Sequence, residues 1–108
     1  MKTDYMTEGC NLPPYLLYPL FLLNMDLRLT AKMVYCILLD MIINSDESVQ
    51  RDSLDRYYLT VSNKTIARKI DRTPTTVAQA LIELENADLA ERKWVGRNAP
   101  CHIYVKLP

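Results

Sequence analysis

The sequence predicts an α+β fold in which three main helices pack beside a small antiparallel sheet that ends in a β-hairpin. Three observations lead to this prediction. Apolar residues recur at helical spacing in one long and two short segments. Only a tight turn separates the two short segments, and two segments rich in β-branched and aromatic residues follow them. At 108 residues, the chain is expected to form a single domain overall.

The first 29 residues are expected to form an N-terminal arm that precedes a domain over residues 30–108. Pro13, Pro14 and Pro19 disfavour helix at the residues before them, so an irregular lead-in is predicted. The arm is nevertheless rich in apolar residues, and we expect it to pack either on its own core or on a second subunit. These residues are Leu16, Leu17, Tyr18, Leu20, Phe21 and Leu23.

A long amphipathic helix is predicted from Thr30 to Ser45, because Thr30 suits an N-cap and apolar residues follow at i, i+3, i+4, i+7 and i+8. Polar and charged residues then dominate from Asn44 to Arg56, which indicates an exposed loop. Residues Tyr57 to Val61 favour a short strand. The expected buried residues of the helix are Val34, Ile37, Leu38, Met41 and Ile42.

Two short helices follow. Ser62 is expected to cap a helix from about Asn63 to Ile70. Thr73 followed by Pro74 is a strong start signal for another, which should continue to about Ala87. The expected buried residues are Ile66, Ala67 and Ile70 in the first helix and Val77, Ala80, Leu81 and Leu84 in the second.

Strands are predicted at Leu89–Val95 and His102–Leu107, joined by a turn-prone, basic connector over residues 96–100. We expect Trp94 to face inward and to anchor this hairpin on the third helix. Two helices joined by a tight turn and followed by a two-stranded hairpin constitute a winged helix-turn-helix.

Charge is unevenly distributed along a chain of zero net charge. Residues 1–55 hold four Lys or Arg against eight Asp or Glu, whereas residues 56–108 hold nine against five. The basic half contains the predicted helix-turn-helix and hairpin. Neutralising phosphates supplies most of non-specific DNA affinity, so this half is the candidate for contact with double-stranded DNA.

The candidate interface combines base-reading and phosphate-binding side chains. Thr75, Thr76 and Gln79 are expected near the beginning of the third helix, on the side opposite its apolar face together with Glu83. Gln can bond the N6 and N7 edge of adenine, and Thr can contact several bases. Thr73 and the free N–H groups of the helix start suit a phosphate. The other expected DNA contacts are Lys64, Arg68 and Arg72 before the third helix and Lys93, Arg97 and Asn98 on the hairpin, where Arg92 and Lys106 add positive charge.

Catalysis, metal binding and cofactor binding are not expected. The single histidine, His102, has no carboxylate at a suggestive spacing, and with Gly9 and Gly96 as the only glycines there is no phosphate-binding loop. The three cysteines show no zinc or redox spacing. No membrane segment, secretory signal or small-molecule ligand is indicated, and a cytoplasmic protein is expected.

Several motifs resemble the N-terminal domain of replication initiator protein A from plasmids and mobile elements. They are Tyr18-Pro19-Leu20-Phe21, the run from Leu29 to Tyr35 with Leu38-Leu39-Asp40, Tyr57-Tyr58-Leu59-Thr60, and the closing Ile103-Tyr104-Val105. The resemblance implies a winged helix that binds repeated sites at a replication origin, often as a dimer. It also implies a role in the initiation of DNA replication.

Two other functions remain open from the residues alone. A transcriptional regulator of the same fold would bind a promoter in place of an origin. A protein–protein adaptor would show no salt-dependent affinity for DNA. A homodimer and other replication proteins are the candidate protein partners.

Overall fold

A computed structural model describes residues 1–97 and 99–108. It confirms the α+β fold with three helices and a small antiparallel sheet. Within the described residues, no helix is both long and apolar enough to cross a membrane. In chain order, a 3-10 turn at Leu20–Asn24 precedes α1 (Leu29–Ile43), β1 (Val49–Arg51), β2 (Tyr57–Leu59), α2 (Asn63–Ile70), α3 (Pro74–Asn86), β3 (Ala90–Lys93) and β4 (His102–Val105).

The core lies between the three helices and one face of the sheet. All the apolar residues predicted to be buried in α2 and α3 are buried, and so are those of α1 except Ile42, which is half-buried. Tyr35 is completely buried, and its hydroxyl donates to the Lys106 carbonyl at 2.9 Å. This bond satisfies the one polar atom of a large core side chain and ties α1 to the residue after β4.

The four strands form one antiparallel sheet in the order β1-β2-β4-β3. Leu59 lies opposite Ile103, and both are completely buried against the helices. Side chains alternate between the two faces of a strand, so Tyr58 and Tyr104, which also lie opposite each other, occupy the outer face. β3 and β4 form the hairpin of the winged helix.

The interpretation of residues 44–56 as an exposed loop is wrong in part, because β1 lies within it. Val49-Gln50-Arg51 shows no apolar alternation that would indicate a strand. Its pairing with β2 depends on the tight connection at residues 52–56, in which Asp52 accepts hydrogen bonds from two backbone N–H groups. The first helix begins at Leu29, so Thr30 lies inside it and is not its N-cap. This helix also ends two residues earlier than expected, at Ile43.

The expectation that Trp94 faces inward is also wrong. β3 ends at Lys93, and the Trp94 side chain is 69% exposed. The Arg92 guanidinium lies 5.9 Å from the indole ring centre, at the edge of cation–π range. The hairpin is anchored on α3 by a salt bridge between Arg92 and Glu85, and not by this tryptophan.

The N-terminal segment packs on the domain's own core only near its end. Leu22 is completely buried, and the Phe21 ring meets the Tyr35 ring edge-on at 5.7 Å. Residues 1–18 are exposed. The predicted division into an arm over 1–29 and a domain over 30–108 stays a prediction, although the 3-10 turn is part of the packed core.

Candidate nucleic-acid interface

The turn between α2 and α3 is held by backbone geometry. Asp71 has a φ of 55°, in the left-handed region that Asp tolerates better than most residues. The Arg72 N–H donates to the Ala67 carbonyl at 3.0 Å, as in a Schellman motif. Only Asp71, Arg72 and Thr73 separate the two helices, so the turn fixes the direction in which α3 leaves α2.

The beginning of α3 is capped as the sequence predicts. The Thr73 hydroxyl accepts from the Thr76 N–H at 3.2 Å, and Pro74 occupies the first turn. The hydroxyls of Thr73 and Thr76 lie 2.9 Å apart. Thr76 is half-buried and its hydroxyl bonds that of Thr73, while its contact with bases stays a prediction.

One side of α3 faces solvent along its whole length. Thr75, Gln79, Ile82 and Asn86 are exposed and Ala78 is half-buried. These five residues, spaced i, i+3, i+4, i+7 and i+11, are called the outward stripe below. The stripe runs opposite the buried residues of the helix, so it is the part of α3 available to a partner.

Glu83 does not belong to the outward stripe, contrary to the prediction. It is half-buried and accepts a hydrogen bond from the Arg28 backbone N–H at 2.7 Å. Arg28 is the residue before α1, where no local side chain provides a cap. Glu83 therefore joins α3 to the beginning of α1, and this contact brings Arg28 to the edge of the stripe beside Gln79 and Ile82.

Four cations surround the helix-turn-helix. Lys64, Arg68 and Lys69 are exposed on α2, and Arg72 is exposed in the turn. Over residues 1–97 and 99–108, none of them forms an ion pair with a carboxylate. Arg72 donates instead to the Asp71 carbonyl at 2.9 Å. Most of these charges are thus available to an anionic partner.

Lys69 differs from the other three because it faces an acidic residue. The hydroxyl and the N–H of Ser48 lower the pKa of Asp46, and the positive charge of Lys69 adds to this effect. Both Lys69 and Asp46 border a hollow beside β2. The positive charge of Lys69 therefore lies close to an acidic residue.

The sequence profile described as replication initiator protein A (RepA) N-terminus matches residues 12–107 of this chain. The chain belongs to this family. The match extends from the N-terminal segment through β4, so it covers far more than a helix-turn-helix and confirms the resemblance seen in the sequence. None of the curated proteins matches the sequence.

Two solved structures are similar to this initiator domain. One is described as the N-terminal domain of a DNA-binding protein, with a TM-score of 0.73, 22% identity, and coverage of 99% of this chain and 86% of that one. The other is a Rep–DNA complex, with a TM-score of 0.72, 23% identity, and coverage of 88% and 76%. At these identities the likeness establishes the fold.

The hairpin of the initiator domain is attached to α3 through Arg92. Its guanidinium bonds Glu85 through Nε and Nη2, each at 2.8 Å, and its backbone N–H donates to the same carboxylate at 3.3 Å. Lys106 likewise pairs with Asp88, just after α3. These two cations were predicted to add positive charge to the hairpin, but the carboxylates neutralise them.

The predicted DNA contacts of the hairpin are Lys93, Arg97 and Asn98, and they lie in different surroundings. Lys93 lies on the outer face of the sheet, 3.5 Å from Glu91 and 5.0 Å from the Tyr104 ring centre. Arg97 is exposed in the connector and forms no ion pair with any described residue. Asn98 lies outside the described residues. Of these positions, Arg97 is an exposed cation without an ion pair among the described residues.

Sequence reasoning missed three residues at the candidate interface. Ile82 and Ala78 share a helical face with Thr75 and Gln79, so a helical wheel of α3 could have revealed them. Arg28 reaches α3 only through the packing of α1, so no local pattern points to it. Among the described residues, no group of three His, Cys, Asp or Glu side chains could hold a metal ion.

Proposed function

We propose that this initiator domain binds double-stranded DNA at a replication origin by placing α3 in the major groove. The observation that carries this proposal is the outward stripe of α3 with exposed cations beside it on α2 and the turn. A major groove about 12 Å wide admits one helix. The family favours a replication origin over a promoter as the target.

Each set of side chains has a separate role in this proposal. Thr75 and Gln79 contact base edges, because both are exposed on the first two turns of α3. Lys64, Arg68 and Arg72 contact phosphates beside the groove, and Arg97 reaches the backbone or the minor groove from the hairpin. The proposed DNA contacts also include Thr73, Thr76, Lys93 and Asn98.

The free N–H groups at the beginning of α3 favour a phosphate there. The Thr73 hydroxyl satisfies one of these groups and remains exposed, so it can also donate to a phosphate oxygen. The domain then acts by binding and not by catalysis, in the cytoplasm where plasmid origins are replicated. Its specificity comes from the outward stripe and its affinity from the cations.

A homodimer is the proposed assembly, with residues 15–23 as the contact. Tyr15, Leu17, Leu20 and Leu23 are 68, 54, 78 and 63% exposed, a concentration of apolar surface that favours a second copy as partner. Other replication proteins are further candidates. Sedimentation equilibrium of the wild type and of a Leu17→Glu, Leu20→Glu variant tests the dimer, because a monomeric wild type would contradict it.

Fluorescence anisotropy with a labelled duplex, at several salt concentrations, tests DNA binding. Affinity should fall as salt rises, and the slope of log K against log salt should decrease in magnitude by about 2 in an Arg72→Ala, Arg97→Ala variant. The control is Lys2→Ala, Arg51→Ala, which removes the same charge from exposed positions outside the interface.

Comparison of these two double variants separates the effect of local contacts from that of net charge. An equal decrease of the salt slope in both variants would contradict the assignment of Arg72 and Arg97 to phosphates. No binding of the wild type even at low salt would contradict the DNA proposal, and the protein–protein adaptor would then take its place.

A further inference from the structure

We propose that Ile82, with the methyl group of Ala78 beside it, contacts the 5-methyl group of a thymine, so that the domain recognises A·T pairs through the outward stripe. The inference rests on the proposed function, since it assumes that α3 lies in the major groove. It adds a specificity-determining residue and a class of target sequence to that function.

Ile82 is unusual among the apolar residues of α3. Val77, Ala80, Leu81 and Leu84 are buried to at least 97%, whereas Ile82 is 49% exposed. Its neighbours on the stripe are Ala78 and the polar Gln79 and Asn86. A partner that covers the exposed part of Ile82 gains about 25 cal/mol for each Å² of apolar area buried.

The spacing of the stripe fits the geometry of a helix in the major groove. Thr75, Ala78, Gln79 and Ile82 stand at i, i+3, i+4 and i+7, and homeodomain recognition helices use the same spacing for their contacts. At 1.5 Å per residue, Thr75 and Ile82 are about 10 Å apart along the helix, which corresponds to about three base pairs. The stripe can therefore contact neighbouring base pairs.

Thymine is the base that suits an apolar side chain in this groove. Its 5-methyl group is the apolar group that base edges present there, and Gln bonds adenine through N6 and N7. Gln79 and Ile82 are three residues apart and hence adjacent on the helix surface. Together they match neighbouring A·T pairs, with adenine at Gln79 and thymine at Ile82.

Arg28 places a cation close to Ile82. Arg28 and Glu83 border an open hollow of about 460 Å³ beside Gln79, Ile82 and Asn86, and the Glu83 carboxylate there accepts from the Arg28 backbone N–H. Over the described residues, the Arg28 guanidinium forms no ion pair. A cation at the edge of the stripe matches the phosphates that flank a groove.

The test begins with a binding site selected from a random duplex pool. Each thymine of that site is then replaced in turn by deoxyuridine, which removes only the 5-methyl group. At one position, the affinity of the wild type should fall about fourfold, the effect of one methyl group. Ile82→Ala should bind the thymine and uracil duplexes equally, whereas Ile82→Val should keep most of the difference.

The matched control is Leu54→Ala, which truncates another exposed apolar residue, in the connection between β1 and β2, and should keep the full difference. If the wild type tolerates uracil at every position, or if Ile82→Ala keeps the preference for thymine, this inference is wrong while DNA binding stands. If the wild type binds no duplex at any salt concentration, both proposals are wrong.

Discussion

The Thr73 hydroxyl combines a structural contact with a proposed functional one. It accepts from the Thr76 N–H and remains exposed at the beginning of α3. Thr75 is two residues away and also exposed, but no cap depends on its side chain. Substitution of Thr73 should therefore affect both stability and DNA binding, whereas substitution of Thr75 should affect DNA binding alone.

Thr73→Ala should lower the free energy of unfolding by about 1 kcal/mol, because the N-cap bond is lost. Thr75→Ala should change that free energy by less than about 0.5 kcal/mol and instead weaken DNA binding. Urea unfolding followed by circular dichroism measures the first effect and anisotropy the second. Equal stability losses in the two variants would contradict the role assigned to the cap.

Asp52 is the carboxylate with the strongest hydrogen bonding among those whose pKa is shifted. Its oxygens accept from the Arg56 N–H at 2.9 Å, the Arg56 Nε at 2.9 Å, the Tyr104 hydroxyl at 3.0 Å and the Leu54 N–H at 2.9 Å. These donors, the Arg56 N–H foremost, lower the pKa of Asp52 from 3.8 to about 2. The charged form is thus stabilised in the folded chain.

Acidification should remove this stabilisation. The unfolded chain takes up the proton near pH 3.8 and the folded chain only near pH 2, so the contribution is complete above about pH 4 and is lost as the pH falls to 2. Asp52→Asn should have a lower free energy of unfolding than the wild type at neutral pH. The difference between the two proteins should decrease as the pH falls from about 4 to 2. Urea unfolding at pH 7, 4, 3 and 2 measures it. The control is Asp55→Asn, on the same connection.

At the scale of the element, the hairpin depends on α3 for its position. Arg92 and Glu85 are 16 and 30% exposed, and the backbone of β3 shares the same carboxylate. Lys93 and Glu91 form a looser and more exposed pair on the other face. Removal of the Arg92 side chain and removal of the Lys93 side chain should therefore have different effects.

Arg92→Ala should lower the free energy of unfolding by about 1 kcal/mol, because partly buried charged hydrogen bonds are lost. It should also speed amide hydrogen exchange in β3. Lys93→Ala should leave both nearly unchanged. Hydrogen exchange of the β3 amides, measured by NMR, tests this prediction. Equal protection of β3 in the wild type and in both variants would show that the Arg92–Glu85 pair does not hold the hairpin.

The elements that the sequence predicted well are those with strong local signals. Ser62 and the period of Ile66, Ala67 and Ile70 predicted the limits of α2, and Thr73-Pro74 predicted the beginning of α3. β1 was missed because its pairing with β2 depends on the hydrogen-bonded connection at residues 52–56, not on a pattern in β1 itself. The hairpin tryptophan was misplaced because local sequence does not show where β3 ends.

At the scale of the whole molecule, the two halves of the sequence differ in charge, and the fold brings both to the surface. The exposed cations of α2 and the connector belong to the basic half, whereas the N-terminal segment belongs to the acidic half. DNA is expected at the first of these surfaces. The cations and caps of the candidate interface that lie within α2 and α3 could be predicted from the sequence. The position of Arg28 could not, because only the packing of α1 against α3 brings it there.

NMR mapping of DNA binding tests the central claim, that α3 and its surroundings form the interface, most directly. On addition of a duplex at low salt, the amide signals of the outward stripe, α2 and the hairpin connector should shift, while those of residues 1–18 and the outer sheet face around Gln50 should not. Shifts confined to the N-terminal segment or the outer sheet face, with the signals of α3 unchanged, would contradict the claim.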